Sequence, residues 1–332
     1  MLRRGVIVWL LIGAAFVGLE AAGLTEGLTL PVPLIVALVL ARALEHAEWA
    51  RRHPRLVAAG VGAVCAALAL VAGELGLQAA DLSPRELTAV LLAAAGLAVL
   101  LSPAPVRAAL LRPLGLDPGS PVHAVTAVAF ALVLGSSVVL FVQLQGEPSV
   151  SIPFYLSDSV VSIVSDVALA LAGVGAFLTR GAAATLARLD LRPLRLRHLG
   201  WALGIAVLFH VGVTVMEWTE GVVLPDLHAL EDRFDYEFIG IPPLVGAALV
   251  SLAAGVGEEI LFRGALQPRL GVVLTAALFA SLHVQYQLPG ILMIFGVGLG
   301  LGLLKQRTST TFTAVVHVIY DLGAFLTDLY GG

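Results

Sequence analysis

Gly257-Glu258-Glu259-Ile260-Leu261-Phe262-Arg263-Gly264 sets three ionisable side chains inside an apolar segment that runs from about Leu244 to Leu266. A charged residue at the centre of a bilayer costs about 2.5–3.5 kcal/mol on insertion scales, so a glutamate pair beside an arginine persists there only with partners and marks a functional position. The rest of the chain is read against that cost.

Hydrophobic residues make up 59% of the 332 positions and charged residues 13%, with a mean hydropathy of +0.97. A soluble domain cannot hide so much apolar surface, and the composition specifies a polytopic membrane protein. The apolar runs are continuous rather than alternating, which excludes a β-barrel and gives an all-α class, a bundle of transmembrane helices. The formal net charge is −4 and no basic block is present, so no nucleic-acid partner is expected. Cys65 is the single cysteine, which excludes a disulfide framework and a cysteine-based metal site. Met1-Leu2-Arg3-Arg4 ahead of an apolar stretch reads as a first span used as a signal anchor.

Apolar segments suggest about eleven spans, near 5–24, 28–44, 55–73, 87–102, 122–143, 158–178, 198–217, 243–267, 270–286, 289–304 and 311–328. Cytoplasmic loops collect arginine and lysine, which tests this count. With the N-terminus cytoplasmic, sixteen of the 19 basic residues fall in cytoplasmic loops, and only Arg85 and Arg233 fall in the opposite ones. Residues 218–242, carrying Asp226, Glu231, Asp232, Asp235 and Glu237, are then the longest external connection, expected to be solvated. The alternating stretch Arg188-Leu189-Asp190-Leu191-Arg192-Pro193-Leu194-Arg195-Leu196-Arg197 is expected to lie on the cytoplasmic leaflet, anchored by anionic lipid.

Three polar constellations carry chemistry. Glu258 and Glu259 are adjacent and point in different directions on a helix, whereas Glu259 and Arg263, spaced i,i+4, share a face. Glu259 and Arg263 therefore read as an ion pair, which leaves Glu258 for proton transfer. Phe279-Ala280-Ser281-Leu282-His283 supplies a histidine on the next span. His317-Val318-Ile319-Tyr320-Asp321 supplies a second, with Asp321 on the same face. Counted from the cytoplasmic helix ends at about 1.5 Å per residue, Glu258, His283 and His317 lie at depths of about 15, 18 and 10 Å, so the three can meet. Such a set could activate water or, with Glu258, His283, His317 and Asp321 as ligands, hold a divalent metal such as zinc. Asp166 and His210 are further intramembrane polar residues, each expected in a helix–helix hydrogen bond.

Glu258-Glu259-x-x-x-Arg263, Phe279-x-x-x-His283 and His317-x-x-x-Asp321, in that order and with the Gly296-x-Gly298-x-Gly300-x-Gly302 span before the third, resemble the three motifs of the CAAX protease and bacteriocin-processing family, also called CPBP or Abi. The resemblance covers roughly residues 243–327, more loosely 190–328, and leaves the spans of 1–180 without a role. It implies an intramembrane endopeptidase with a cavity facing the cytoplasm. By that resemblance Glu258 and His283 position and deprotonate the attacking water, His317 and Asp321 stabilise the oxyanion, and Glu259 and Arg263 support the site. Many members carry Asn at the position of Asp321; this chain contains no asparagine. An ionised aspartate repels an oxyanion, so Asp321 could instead orient His317.

The function expected is hydrolysis of a peptide bond within the membrane, with a protein or peptide substrate that is either a C-terminal segment or a peptide precursor. Two other classes fit the same residues. A proton-coupled transporter would show proton flux that depends on Glu258 without proteolysis, and a non-catalytic scaffold or self-immunity protein would keep its function as Glu258→Ala. The arginine- and alanine-rich composition fits a prokaryotic plasma membrane.

Overall fold

A computed structural model of the chain describes residues 2–24, 27–28, 31–53, 57, 60, 96, 103–144, 150–231, 234–286 and 288–330. Seven helices among the described residues are long and apolar enough to cross a membrane, as an integral membrane protein requires. They span Leu2–Ala21, Pro121–Val142, Leu156–Val174, Leu196–Val223, Pro243–Ser281, Leu288–Arg307 and Thr310–Tyr330. The expected spans near 55–73 and 87–102 lie outside the described residues, apart from Val57, Gly60 and Gly96. The expected span near 28–44 is a helix of 15 residues, Val32–His46, shorter than a membrane crossing needs. Pro243–Ser281 covers two expected spans in one run of 39 residues. It is interrupted at Gly271, whose φ of 75° and ψ of 176° only glycine adopts readily, and there the chain folds back on itself.

The described residues form two compact units. The first comprises Met1–Leu140 and Leu171–Thr185. It contains α1 (Leu2–Ala21), α2 (Val32–His46), α3 (Glu48–Arg52), α4 (Ala104–Leu111) and most of α5 (Pro121–Leu144). The turn at 175–181 is its organiser. Trp9 of α1, 2% exposed, donates from Nε1 to the Ala176 carbonyl at 2.9 Å, and Arg42 of α2 donates to the Gly173 carbonyl at 2.8 Å. Gly5 admits the turn against α1, because a Cβ there would stand 2.2 Å from the Phe177 oxygen.

The second unit comprises Phe141–Ala170 and Leu186–Gly332. It begins with β1 (Val150–Phe154) and the larger part of α6 (Leu156–Val174). After α7 (Ala182–Arg188) come α8 (Leu196–Val223), α9 (Pro225–Glu231), β2 (Phe234–Phe238) and α10 (Pro243–Ala253). A π-helical segment (Ala254–Leu266), α11 (Gln267–Ser281), α12 (Leu288–Arg307) and α13 (Thr310–Tyr330) complete it. Small side chains let these helices approach, as membrane bundles require. Ala202 and Ala206 of α8, Leu301 of α12, and Phe312 and Val316 of α13 form a buried cluster, and Gly300 faces the Phe209 ring.

Two expectations are corrected here. The connection 218–242 is not simply solvated. It carries α9 and then β2, which pairs in parallel with β1 in the register Val150↔Phe234 to Phe154↔Phe238, so the helical bundle also holds a two-stranded sheet. Phe238 packs edge-on against Phe154 and covers Gly246, where a Cβ would collide with its ring. Nor is 188–197 only a lipid anchor. Arg188 donates to the Gly264 and Ala265 carbonyls at 2.9 and 3.2 Å, Lys305 pairs with Asp190 at 3.1 Å, and the Arg192 amide donates to Thr311 Oγ1 at 3.0 Å. Backbone carbonyls left over at a helix end take these cations in preference to water. The stretch thus clasps the π segment, α12 and α13 together at one end.

Candidate active site

Ala254–Leu266, which contains Glu258, Glu259 and Arg263, is a π-helix of 13 residues. Its i→i+5 hydrogen bonds make a wider turn than an α-helix, and such segments are rare and concentrate at functional sites. Glycines let neighbours press on it from three sides. A Cβ on Gly255 would lie 2.6 Å from the Val318 nitrogen of α13, one on Gly257 3.2 Å from the Ile163 Cα of α6, and one on Gly264 3.1 Å from the Leu189 oxygen.

Arg263 and Glu259 are 1% and 0% exposed and form an ion pair, with Nη1 to Oε1 at 3.0 Å. The sequence spacing anticipates this contact, which survives the wider winding. A buried charge pair needs further partners to offset lost hydration. The guanidinium has two. Nη2 reaches the Gly298 carbonyl of α12 at 3.4 Å, and Cζ lies 4.5 Å from the centroid of the Phe279 ring.

His317 stands between two carboxylates. Its Nδ1 is 3.2 Å from Glu259 Oε1, and its Nε2 is 3.4 Å from Asp321 Oδ2. A neutral imidazole has one N–H and can donate to only one of them, whereas an imidazolium donates to both. Asp321 lies one helical turn from His317, on the same face.

His283 is not on a helix. α11 ends at Ser281, and the chain turns through 282–286, with the His283 amide bonded to the Ala280 carbonyl at 3.0 Å. Its Nδ1 lies 2.9 Å from the Phe279 carbonyl, one of the oxygens that the end of α11 leaves without a helical partner. A carbonyl only accepts, so Nδ1 carries hydrogen, and in the neutral ring Nε2 holds the lone pair. Ser281 Oγ donates to the Leu278 carbonyl at 2.7 Å, which occupies the one hydroxyl near the site on that helix.

Phe279 is the hub that sequence reasoning missed as more than part of a motif. Its ring centroid lies 4.9 Å from that of His283, 5.9 Å from that of His317 and 5.4 Å from that of Phe262. One aromatic side chain thus gathers both histidines and Arg263. Glu258 completes the set. It is partly buried, and its Oε2 is inaccessible, without a hydrogen-bond partner among the described residues. The charges of His317, Arg263 and Glu259 act on it, and its own charge acts on Asp321, as does that of His283. Phe279 thus joins both histidines and Arg263, His317 joins Glu259 and Asp321, and Glu258 lies within electrostatic reach of His317, Arg263, Glu259 and Asp321.

The donors do not match a metal. Among the described residues no three His, Cys, Asp or Glu side chains converge with metal-ligand geometry, and both ring nitrogens of His317 already face carboxylates. Of the other intramembrane polar residues, His210 makes the expected interhelical bond, its Nε2 3.1 Å from Thr327 Oγ1. Asp166 instead lies against Gly257, next to Glu258.

Residues 240–323 match the family model of type II CAAX prenyl endopeptidase Rce1-like proteins. The chain is also similar to the uncharacterized protein YpbD of Bacillus subtilis (strain 168), 27% identical over 155 residues, which is 46% of this chain and 79% of that protein. No solved structure matches. The glutamate pair, the two histidines and Asp321 all lie inside residues 240–323, the stretch that is similar to type II CAAX prenyl endopeptidases.

Proposed function

We propose that the protein is an intramembrane endopeptidase that hydrolyses a peptide bond with a water molecule activated by Glu258 and His283. The observation that carries this reading is the gathering of His283 and His317 around Phe279, with Glu258 within electrostatic reach of His317 and one Glu258 oxygen that no group among the described residues satisfies. Water donates one hydrogen to Glu258 and the other to the lone pair of His283 Nε2. Its oxygen attacks the carbonyl carbon of the substrate while Glu258 takes the proton, a general-base contribution of typically about 10²- to 10⁴-fold. His317, an imidazolium held between Glu259 and Asp321, stabilises the oxyanion by its charge. Collapse of the tetrahedral intermediate breaks the C–N bond, and the proton held by Glu258 passes to the leaving amine. Glu259 and Arg263 hold the π segment and α12 in register.

The substrate is read as a protein C-terminal segment or a peptide precursor that enters from the membrane, with the cavity open to the cytoplasm of a prokaryotic cell. The test compares peptide profiles of membranes from cells carrying wild type and Glu258→Ala, followed by assay of the purified proteins on a synthetic peptide spanning the difference. Loss of cleavage in Glu258→Ala supports the reading, and an equal rate overturns it.

A further inference from the structure

Asp166 of α6 belongs to none of the three motifs, yet the fold delivers it to the glutamate pair. Gly257 precedes Glu258 and lacks a side chain, so α6 comes close: a Cβ at 257 would stand 3.2 Å from the Ile163 Cα, 3.2 Å from the Asp166 Cβ and 3.0 Å from Asp166 Oδ2. The contact puts a third carboxyl group beside Glu258, near enough for the Glu258 charge to act on it. No ion pair joins Asp166 to a cation among the described residues. The cations of the site are engaged elsewhere, Arg263 by Glu259 and His317 by Glu259 and Asp321.

Two carboxyl groups at membrane depth with no cation between them do not both stay ionised; they hold one proton and share it in a hydrogen bond. Such a bond is short, directional and roughly twice as strong as a neutral one. Oε2 of Glu258, buried and lacking a partner among the described residues, is the atom that this bond would satisfy.

We propose that Asp166 is a positioning residue for Glu258, its protonated carboxyl donating to the Glu258 carboxylate and holding the other oxygen toward the attacking water. The inference rests on Glu258 being the base. No proton leaves the pair in this role: Asp166 keeps its own while Glu258 receives that of water and passes it to the leaving amine. A glycine at 257 is needed for the same reason, because any side chain there separates α6 from the base.

The test has two arms on the full-length protein in lipid. The first is infrared spectroscopy without substrate. The carbonyl stretch of a protonated carboxyl is expected in wild type, absent in Asp166→Asn and shifted in Glu258→Gln, where the charged acceptor is gone. The second is steady-state cleavage of the synthetic peptide described above. Asp166→Ala is expected to lower kcat by about tenfold or more at unchanged KM, in the range seen when supporting hydrogen bonds are removed, and Asp166→Asn, which keeps a donor, to recover most of the rate. An infrared band that persists in Asp166→Asn overturns the proposal, as does an unchanged kcat in Asp166→Ala. Cleavage that survives Glu258→Ala overturns the protease reading instead, and the infrared arm then still decides whether the two carboxyls are joined.

Discussion

Glu259 Oε1 lies 3.0 Å from Arg263 Nη1 and 3.2 Å from His317 Nδ1, so a single carboxylate oxygen joins the π segment to itself and to α13. Both neighbours are buried, and neither can recover its lost hydration elsewhere. Replacing Arg263 by Met is expected to destabilise the protein by about 3–5 kcal/mol, the effect of leaving one partner of a buried pair uncompensated. The double replacement of Glu259 and Arg263 by Met is expected to cost less than the sum of the singles, because the two act as one unit. Thermal unfolding of the purified variants in detergent measures both.

Asp321 Oδ2 lies 3.4 Å from His317 Nε2. Asp321→Asn, which keeps an acceptor for Nε2, should therefore hold cleavage within about tenfold of wild type, whereas Asp321→Ala should lose about 10- to 100-fold through a loosened imidazole. Equal losses in the two variants would show that the charge itself is needed.

Gly255 and Gly300 are both tightly faced, but by different things. A Cβ on Gly255 meets the backbone nitrogen of Val318 at 2.6 Å, while one on Gly300 meets the far end of the Phe209 ring at 2.7 Å. Backbone cannot move aside and a ring can rotate. Gly255→Ala is expected to lower stability by about 1–3 kcal/mol and Gly300→Ala by clearly less, with Gly18→Ala, which meets nothing within 4 Å, as the control.

Arg188 reaches two successive carbonyls with the two arms of its guanidinium. Arg188→Ala should lower the unfolding free energy by about 2 kcal/mol, the worth of a hydrogen bond to a charged group on a partly buried surface. Arg188→Lys should restore little of it, because an ammonium group cannot span both oxygens.

Cleavage is expected to persist after exhaustive chelation, with metal content measured below one equivalent per chain. Both ring nitrogens of His317 are engaged by carboxylates, so a metal would have to break an ion pair to bind there.

What the sequence makes legible here follows from cost. Glu258, Glu259 and Arg263 are readable because charges in an apolar run need an explanation, and the i,i+4 spacing names the partner even though the segment winds as a π-helix. Phe279 is not readable in the same way, since one ring among many apolar residues carries no sign of what it touches. Arg188 and Asp190 are ambiguous for a different reason. Alternating basic and apolar residues suit a lipid surface as well as helix ends, and only the left-handed Asp190, with φ of 55°, directs the carboxylate to Lys305. The pairing of β1 with β2 joins segments about 80 residues apart, and neither has a partner within its own neighbourhood to announce it. The neighbour of Asp166 is not legible either, because no local pattern reports that Gly257 will admit α6.

The site-bearing unit draws Phe141–Ala170 from far ahead of its motifs. A fragment begun at residue 240, where the family match starts, would leave Glu258 without the helix that packs on Gly257, and one begun at 190 would keep β2 but lose its strand neighbour β1. Unpaired strand edges recruit other chains, so such fragments should aggregate when expressed. The stretch that matches the family model is short, but the compact unit that holds it is much longer.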